Sequence, residues 1–516
     1  MDRYDVLIAG AGPTGMVLAL ALAKQGIRVC IVDKADGPGT TSRAMAVQAR
    51  TLELYRPLGM ADEVAGAGRP NPCINLWVRG KRRAQLSLRD AGARLTPYPY
   101  VLIYPQDAHE QLLVRHLEAA GVTVWRRTEL AGFEERDDCV LASLRRADGE
   151  DLQVEARYLA GCDGARSFVR RQLGTGFAGG TYDHLFYVAD VQARGKAANG
   201  EIHLSLETSD FVILLGYDDN GRARLVGTIR DERGEAGALS FNDVSHRAMA
   251  SLGLEVEQVH WFSTYRVHHR VTDHYRKGRA FLLGDAAHVH SPAGGQGMNT
   301  GIGDAINLAW KLAAVVRGEA PDSLLDSYER ERIAFARKLV DTTDRLFSFV
   351  TAESGFADFI RTRIAPTFAS AAYGIGPVRE MIFRILSQTT INYHDSPLSS
   401  GVAGRVQGGD RLPWVAREEQ DNYAAPARID WQVHVYGQAY PDLRAWCDRH
   451  GMILREFDWS PAHDEAGFCR NAGYLLRPDG YVALCDPGAS AQAMEDYFCE
   501  LDYRRFRVCE PKQAAL

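Results

Sequence analysis

The sequence lacks the features that mark several large classes of protein. It has no Cys-X-X-Cys pair, and its nine cysteines are scattered and odd in number, which predicts reduced thiols rather than a disulfide framework. No group of cysteines and histidines has the spacing of zinc ligands, so no metal site is expected. The net charge of −6 provides no basic surface for nucleic acid or an anionic membrane.

Long apolar runs are also scarce, and residues 6–23 are one uncharged stretch of membrane-spanning length. Gly10, Gly12, Pro13 and Gly15 interrupt it, which favours a strand, a turn and a helix over a signal peptide or an anchor. We therefore expect a cytoplasmic protein without membrane contact.

The first 33 residues follow a strand-turn-helix-strand pattern. Apolar strand formers at 4–9 precede a glycine-rich turn, helix formers follow at 16–24, and a second strand at 27–32 ends at Asp33. We expect Gly10 to permit the tight turn, Gly12 to let a pyrophosphate approach the backbone, and Gly15 to let the helix pack on the strand. Asp33 is placed to accept hydrogen bonds from ribose hydroxyls. The unit predicts a dinucleotide site and leaves NAD and FAD open.

Two later segments decide between these cofactors. In residues 158–171 an Asp163-Gly164 turn joins a strand to a helix, and in residues 278–288 a strand leads into Gly284-Asp285. Residues 291–299 then open an amphipathic helix. Together with the first turn, these motifs resemble the flavin-dependent aromatic hydroxylases, in the phenol-hydroxylase-like branch of class A flavoprotein monooxygenases. The resemblance covers essentially the whole chain.

The resemblance implies bound FAD, with NADPH or NADH as a co-substrate that visits a surface groove, because the sequence has no second glycine fingerprint. Asp285 is expected to contact the ribityl chain of FAD. The helix start at residues 294–299 is expected to lie along the pyrimidine edge of the flavin. Arg166 and Arg170 are candidates for cofactor phosphates or for an ordinary solvated helix face. The implied cofactor-binding residues are Gly10, Gly12, Pro13, Thr14, Gly15, Asp33, Lys34, Arg43, Gln106, Asp163, Asp285, Pro292, Gly295, Gly297, Met298 and Asn299.

The implied fold is α/β, with a Rossmann-like FAD-binding domain, an inserted antiparallel-sheet substrate domain and a C-terminal thioredoxin-like domain. The predicted boundaries are 1–180 and 276–398 for the two FAD-binding parts, 181–275 for the substrate domain and 411–516 for the last domain. Glycine-rich residues 401–410 predict a linker, and the charge run 328–332 predicts a solvated helix face. The C-terminal domain lacks a redox dithiol, which favours a structural or dimer-contact role in a monomer or homodimer.

The implied activity is hydroxylation of an aromatic small molecule with NAD(P)H and O₂ through a flavin C4a-hydroperoxide. Pro292 and Met45 are expected to face the substrate. By this resemblance, Met45 stands where enzymes of the simple-phenol type carry an aspartate, so a larger, more apolar and already acidic substrate is favoured, such as a polycyclic polyketide. No general base is identified.

Three alternatives remain open from the sequence. Baeyer–Villiger chemistry and epoxidation fit the same scaffold, and product analysis would separate a ring hydroxyl from a lactone or an epoxide. A catalytically silent flavin-binding protein is the third, which NAD(P)H-driven O₂ uptake would test. A flavin halogenase is disfavoured because no Trp-X-Trp-X-Ile-Pro segment is present.

Overall fold

The computed structural model describes residues 2–39, 44–207, 211–229, 239–244, 246–290, 295–351, 376–416, 421–423 and 428–506. Its mixture of parallel and antiparallel sheets with helices confirms the predicted α/β class. No helix within these ranges is both long and apolar enough to cross a membrane.

A largely parallel sheet forms the first part of the core. Its main path runs β17-β18-β11-β1-β2-β8, and β9 and β10 join as an antiparallel extension of β11. Helix α1 is apolar all round and almost wholly buried, which explains the uncharged run at 6–23 as a buried strand and helix. The elements from 2 to 173 are β1 (Asp2–Ala9), α1 (Pro13–Ala23), β2 (Val29–Val32), β3 (Ala46–Val47), α2 (Ala49–Tyr55), α3 (Ala61–Ala67), β4 (Arg69–Asn71), β5 (Cys73–Val78), β6 (Lys81–Ser87), α4 (Leu88–Gly92), β7 (Val101–Ile103), α5 (Gln106–Ala119), β8 (Val124–Trp125), β9 (Thr128–Glu135), β10 (Val140–Arg146), β11 (Asp151–Gly161) and α6 (Phe168–Leu173).

A second, mostly antiparallel sheet has the order β19-β16-β12-β15-β14-β13-β5-β6. Strands β5 and β6 come from the first part of the chain, and β5 pairs in parallel with β13, so this sheet extends beyond residues 181–275. A small antiparallel sheet has the order β3-β7-β4. The elements from 177 to 289 are β12 (Phe177–Gly195), β13 (Ile202–Leu206), β14 (Phe211–Gly216), β15 (Arg222–Ile229), α7 (Arg247–Ser251), β16 (Leu254–Thr272), β17 (Arg276–Lys277), β18 (Ala280–Leu282) and β19 (His288–Val289).

The C-terminal region contains a four-stranded mixed sheet, β23-β22-β24-β25, with helices beside it. The predicted linker at 401–410 is instead a short hairpin, β20-β21, whose Ala403 and Val406 are buried against this sheet. Its glycines serve turns with positive φ, for example 74° at Gly401 and 68° at Gly404, rather than flexibility. The elements from 297 on are α8 (Gly297–Val316), α9 (Asp326–Thr351), α10 (Gly376–Leu386), β20 (Val402–Ala403), β21 (Val406–Gln407), β22 (Gln432–Tyr436), α11 (Pro441–His450), β23 (Ile453–Phe457), α12 (Pro461–Ala466), β24 (Gly473–Leu476), β25 (Val482–Asp486) and α13 (Ala491–Glu500).

Candidate active site

The turn between β1 and α1 borders free space at one position. Gly10 has a φ of 104°, and a Cβ there would lie 2.3 Å from the carbonyl oxygen of Cys162. A Cβ on Gly15 would lie 2.0 Å from the Gly10 carbonyl oxygen, whereas one on Gly12 would meet no atom within 4 Å. Gly10 and Gly15 therefore serve close packing, and Gly12 leaves room for a group that approaches the backbone.

Helix α1 begins at this turn without a side-chain cap. Gly12 is its N-cap residue, Pro13 follows directly, and the first turn contains no acidic residue. The amides of Thr14 and Gly15 lie in this first turn, where backbone N–H groups have no partner within the helix and carry partial positive charge. An oxyanion such as a pyrophosphate is the natural ligand for such a helix end.

Asp33 supports the turn from the end of β2. Its carboxylate accepts hydrogen bonds from the amides of Ala11 at 2.6 Å and Ala35 at 2.8 Å. Asp33 is partly exposed and Lys34 is exposed. Because a carboxylate has about four acceptor positions, Asp33 retains capacity for ribose hydroxyls, and that contact stays a prediction.

The second motif lies against the first turn. The Cys162 amide donates to the Ala9 carbonyl at 2.8 Å. Asp163 caps α6 by accepting from the amides of Phe168 at 2.7 Å and Val169 at 3.1 Å through Oδ2. Its other oxygen, Oδ1, is buried and has no hydrogen-bond partner among the described residues. Buried polar atoms are almost always paired, so this oxygen fits a donor supplied by a ligand or water.

The third motif meets the first at Thr14. A Cβ on Gly284 would lie 2.8 Å from Thr14 Oγ1, and one on Gly301 of α8 would lie 2.3 Å from the same atom. Asp285 follows Gly284 in a short 3-10 helix and is exposed between buried neighbours. The motif therefore carries an exposed carboxylate next to the first turn, which fits the predicted contact with ribityl hydroxyls.

The start of α8 lies beside β3. Gly295 has a φ of 61°, and a Cβ on it would lie 2.7 Å from the Ala46 Cβ. The helix begins at Gly297 without a side-chain cap, and Gly297 and Met298 are partly exposed. The side-chain amide of Asn299 is filled by protein groups, namely Gln48 N, Thr51 Oγ1, Ala46 O and Gly295 O. Asn299 therefore holds the helix start in place, and only its backbone remains for a cofactor.

The remaining four residues predicted to contact the cofactor or the substrate are Arg43, Met45, Gln106 and Pro292. Arg43 and Pro292 lie outside the described residues. Met45 is 3% exposed in the apolar core. Gln106 accepts from the Ala44 amide at 3.1 Å and donates to Glu110 at 2.8 Å, so its side chain fixes the segment that carries Met45.

Three sequence-distant segments thus meet around Thr14, and the partly exposed side of this junction, at Gly12, Asp285 and Gly297, is called the cleft below. They contribute an open position at Gly12, two uncapped helix starts and the carboxylates of Asp285 and Asp163. Helix-end amides suit a pyrophosphate and an anionic ring edge, and the carboxylates suit sugar or ribityl hydroxyls. This donor and acceptor set fits FAD.

Comparison with known proteins agrees with this fit. Residues 3–343 match the model of the FAD binding domain family. A 6-methylpretetramide 4-monooxygenase from Streptomyces rimosus is 38% identical, over 93% of this chain and 90% of that protein. A rifampicin monooxygenase from Rhodococcus hoagii is 34% identical, over 93% and 94%. The solved structure of the OxyS anhydrotetracycline hydroxylase from Streptomyces rimosus has a TM-score of 0.78 at 26% identity, over 97% and 99%.

The chain belongs to the FAD binding domain family. It is an FAD-dependent monooxygenase of the aromatic hydroxylase class, with NAD(P)H as its reductant. The predicted family, fold class, enzyme class and cofactor are confirmed. The individual cofactor contacts stay predictions.

The two arginines considered for cofactor phosphates have different environments in this monooxygenase. The Arg170 guanidinium donates to the carbonyls of Ala286 and Ala165 at 2.8 Å each and lies 3.7 Å from the centre of the Phe177 ring. Arg170 therefore ties the second motif to the third. Arg166 is exposed and remains the candidate for NAD(P)H.

A buried ionic group lies directly beneath the third motif, and the sequence did not reveal it. Asp304 on α8 accepts from the Gly284 amide at 3.0 Å and from Arg332 Nε at 2.6 Å, and pairs with His288 Nε2 at 2.7 Å. Burial opposes ionisation of Asp304, but Arg332 and His288 more than offset it and hold its pKa below the ordinary value. This group fixes the backbone that carries Asp285.

A second buried group joins the flavoprotein core to the C-terminal sheet. Glu331 accepts two hydrogen bonds from Arg477 at 2.6 and 2.9 Å and one from Lys311 at 2.8 Å. Asp479 also contacts Arg477, and accepts from Trp310 Nε1 at 3.2 Å. The prediction of a solvated face at 328–332 is therefore wrong for Glu331 and Arg332, which are buried. Glu331 and Arg332 follow the buried Tyr328 by three and four positions, which puts them on the same face of the helix, and this spacing could have indicated their burial.

Proposed function

We propose that this enzyme hydroxylates a polycyclic, polyketide-like phenolic substrate. The proposal is supported by the apolar wall described below and by relatives whose names give 6-methylpretetramide and anhydrotetracycline as substrates. It goes beyond the aromatic hydroxylase class by naming the size and polarity of the substrate.

One observation carries the proposal: the inner face of the large sheet is apolar and only partly covered. Ala223 and Leu225 of β15 and Leu214 of β14 are buried against the α7 side. Because side chains alternate along a strand, the intervening residues face the opposite way. These include Leu204, Ile213 and Val226, which are cross-strand neighbours and partly exposed although their strands are central. Partly exposed apolar side chains on central strands provide a surface on which an apolar ligand can pack.

One end of the wall joins the large hydrophobic cluster that includes the core of the parallel sheet. Ile202, on the same face of β13 as Leu204, is buried in the hydrophobic cluster that contains Met45, Met16 and Leu308. Pockets at such domain interfaces commonly hold small-molecule ligands. An apolar wall and an apolar Met45 favour a ligand with several rings over a small phenol, whose burial would require more polar partners.

The protein's part of the reaction is positioning and exclusion of water. The chemistry supplied by bound FAD is reduction by NAD(P)H and activation of O₂ for transfer of one oxygen atom to an aromatic carbon. The amides of Thr14 and Gly15 would hold the pyrophosphate, and Asp285 the ribityl hydroxyls. The start of α8 would stabilise negative charge on the ring edge. We propose Met45 and Pro292 as residues that face the substrate.

The finer organisation is part of this proposal. We propose FAD-binding parts at 1–180 and 276–398, a substrate domain at 181–275 and a C-terminal domain at 411–516. The C-terminal domain would act structurally, supported by the buried contacts of Arg477 with the FAD-binding part. We further propose a monomer or homodimer in the cytoplasm, supported by the free thiols of the eight described cysteines.

The test is turnover by the purified yellow holoenzyme. NADPH and NADH oxidation and O₂ uptake are measured with 6-methylpretetramide, anhydrotetracycline, pentachlorophenol and phenol, and products are analysed by mass spectrometry with ¹⁸O₂ and by NMR. We expect stimulated oxidation and a ring hydroxyl bearing one ¹⁸O atom with a polycyclic compound. A preference for phenol would overturn the substrate class, and a lactone or an epoxide would overturn the reaction type.

A further inference from the structure

A polar cluster of Arg224, Asp190 and Tyr217 interrupts the apolar wall. Arg224 donates from Nε and Nη2 to the two oxygens of Asp190 at 2.8 and 2.7 Å, and the Tyr217 hydroxyl donates to Asp190 at 2.8 Å. The Arg224 side chain is 1% exposed and that of Asp190 24%. The two parallel hydrogen bonds fix the plane of the guanidinium.

One edge of this guanidinium lacks a partner. Arg224 Nη1 is buried and makes no hydrogen bond to any described residue. A buried donor left unpaired destabilises a protein, and a charged donor does so more strongly than a neutral one. The unpaired edge therefore suits an acceptor that arrives with a ligand, and a negatively charged oxygen makes the strongest hydrogen bond with it.

The cluster lies where the wall meets the flavin side. Arg224 is the cross-strand neighbour of Asp190 and Leu215, on the same face as the partly exposed Val226. Burial opposes the charge of Arg224, yet Asp190, Tyr217 and then Asp107 raise its pKa above the ordinary value. Asp107 directly follows Gln106 at the start of α5, so the cluster is close to the segment that holds Met45.

The charges around Arg224 bear on what it can bind. Asp190 neutralises the guanidinium, so Arg224 is not an uncompensated buried charge when no ligand is bound. Trp261 and Tyr217 have ring centres 5.8 and 6.0 Å from the guanidinium carbon and border it with aromatic surface. A flat aromatic ligand with one acidic oxygen matches both the aromatic border and the unpaired N–H groups.

We propose that Nη1 of Arg224 binds the ionised phenol or enol oxygen of the substrate, and thereby selects acidic polycyclic phenols. The inference rests on the proposed function and supplies a positioning and specificity residue for it. On binding, the hydroxyl proton leaves to solvent and the oxygen keeps the electron pair, which makes the ring more nucleophilic. No protein carboxylate is then required where Met45 stands.

The test uses binding to the oxidised holoenzyme, without NAD(P)H, so it is independent of turnover. The probes are alizarin, whose neutral and ionised forms differ in colour, and 1,2-dimethoxyanthraquinone, which has no acidic hydroxyl. Dissociation constants are taken from the change in flavin absorbance, and the apparent pKa of bound alizarin from its colour between pH 4 and 9. The variants are Arg224→Gln, Arg224→Lys and Arg222→Gln, the last being an exposed arginine on the same strand.

We expect the wild type to lower the apparent pKa of alizarin by about one unit, which is a tenfold preference for the ion. Arg224→Gln should abolish the shift and weaken alizarin binding 10- to 100-fold, while affinity for the dimethyl ether changes less than threefold. Arg224→Lys should keep part of the shift, and Arg222→Gln should behave as the wild type. If Arg224→Gln loses FAD, the uncharged pair Asp190→Asn/Arg224→Gln is tested with the same expectations.

Two results would overturn the proposal. One is failure of the wild type to bind alizarin or to lower its pKa. The other is equal weakening of alizarin and its ether in Arg224→Gln. An intact shift without hydroxylation of any polycyclic compound would instead refute the proposed function while leaving the anion site in place.

Discussion

Replacing Gly12 by alanine is expected to abolish tight FAD binding while the apoprotein stays folded. Gly12 has φ −76° and ψ 179°, which alanine adopts freely, and the added Cβ meets no protein atom within 4 Å. Alanine is a poorer N-cap than glycine, so folding should lose at most about 1 kcal/mol. The methyl group occupies the space into which a pyrophosphate must come to reach the helix amides.

The expected loss follows from those amides. Two hydrogen bonds from Thr14 and Gly15 to a charged phosphate are worth about 1.5–3 kcal/mol each. Losing both weakens FAD binding by about 3–6 kcal/mol, or roughly 10²- to 10⁴-fold. The dissociation constant is measured by titrating apoprotein with FAD and following flavin fluorescence, and folding by thermal unfolding of the same apoprotein.

Two glycine-to-alanine controls distinguish the loss of room for FAD from a general loss of protein stability. Gly132→Ala on β9 also adds a Cβ that meets no atom within 4 Å, but Gly132 belongs to none of the three motifs. This variant should preserve both FAD affinity and stability. Gly15→Ala places its Cβ 2.0 Å from a backbone oxygen and should destabilise the apoprotein itself by about 1–3 kcal/mol or more. An FAD affinity for Gly12→Ala within threefold of the wild type would refute the location of the pyrophosphate.

Three further outcomes follow from the buried groups and the cleft. Glu331→Gln should lower the free energy of unfolding in urea by about 3–5 kcal/mol, because Arg477 and Lys311 lose their shared carboxylate. Glu150→Gln removes one partner of an exposed ion pair and should lower it by less than about 1 kcal/mol. Equal losses in the two variants would contradict this expectation. Burial lowers the pKa of Lys311 to about 8 despite the nearby Glu331, so between pH 8 and 10 the unfolded state binds this proton more strongly than the folded state does. The free energy of unfolding of the wild type should therefore rise by up to about 1.4 kcal/mol per pH unit in this range. The rise should be absent from unfolding curves of Lys311→Met measured in parallel. Asp285→Ala should weaken FAD binding about tenfold in the titration of apoprotein with FAD, and an unchanged affinity would refute the contact with the ribityl chain.

The parts of the fold that sequence predicts are those governed by local chemistry. The first turn is an example: Gly10 has the positive φ and Gly15 the close packing that their spacing indicated, because backbone conformation and close approach are decided within a few residues, whereas the pyrophosphate contact at Gly12 stays a prediction. The hairpin at 401–410 shows the limit of composition. Its glycines predict flexibility, but their positive φ values serve tight turns once Ala403 and Val406 find a sheet to pack on.

Side-chain partners that are distant in sequence were not predictable in the same way. Asn299 was expected to face the flavin, yet its amide is filled by the segment around Ala46, some 250 positions earlier. Glu331 and Arg477 are 146 positions apart, and neither residue alone indicates a buried pair. A charge on a helix is normally solvated, and only the partner's position shows that burial is compensated.

Helix α8 connects these buried groups to the chemistry. Its first turn lies at the cleft, Asp304 in its middle fixes the backbone under Asp285, and Lys311 near its end pairs with Glu331. Glu331 in turn is held by Arg477 of the C-terminal region. Since Arg477 supplies the larger share of the hydrogen bonds that compensate the buried Glu331, the C-terminal sheet supports the helix whose start is the predicted contact of the flavin.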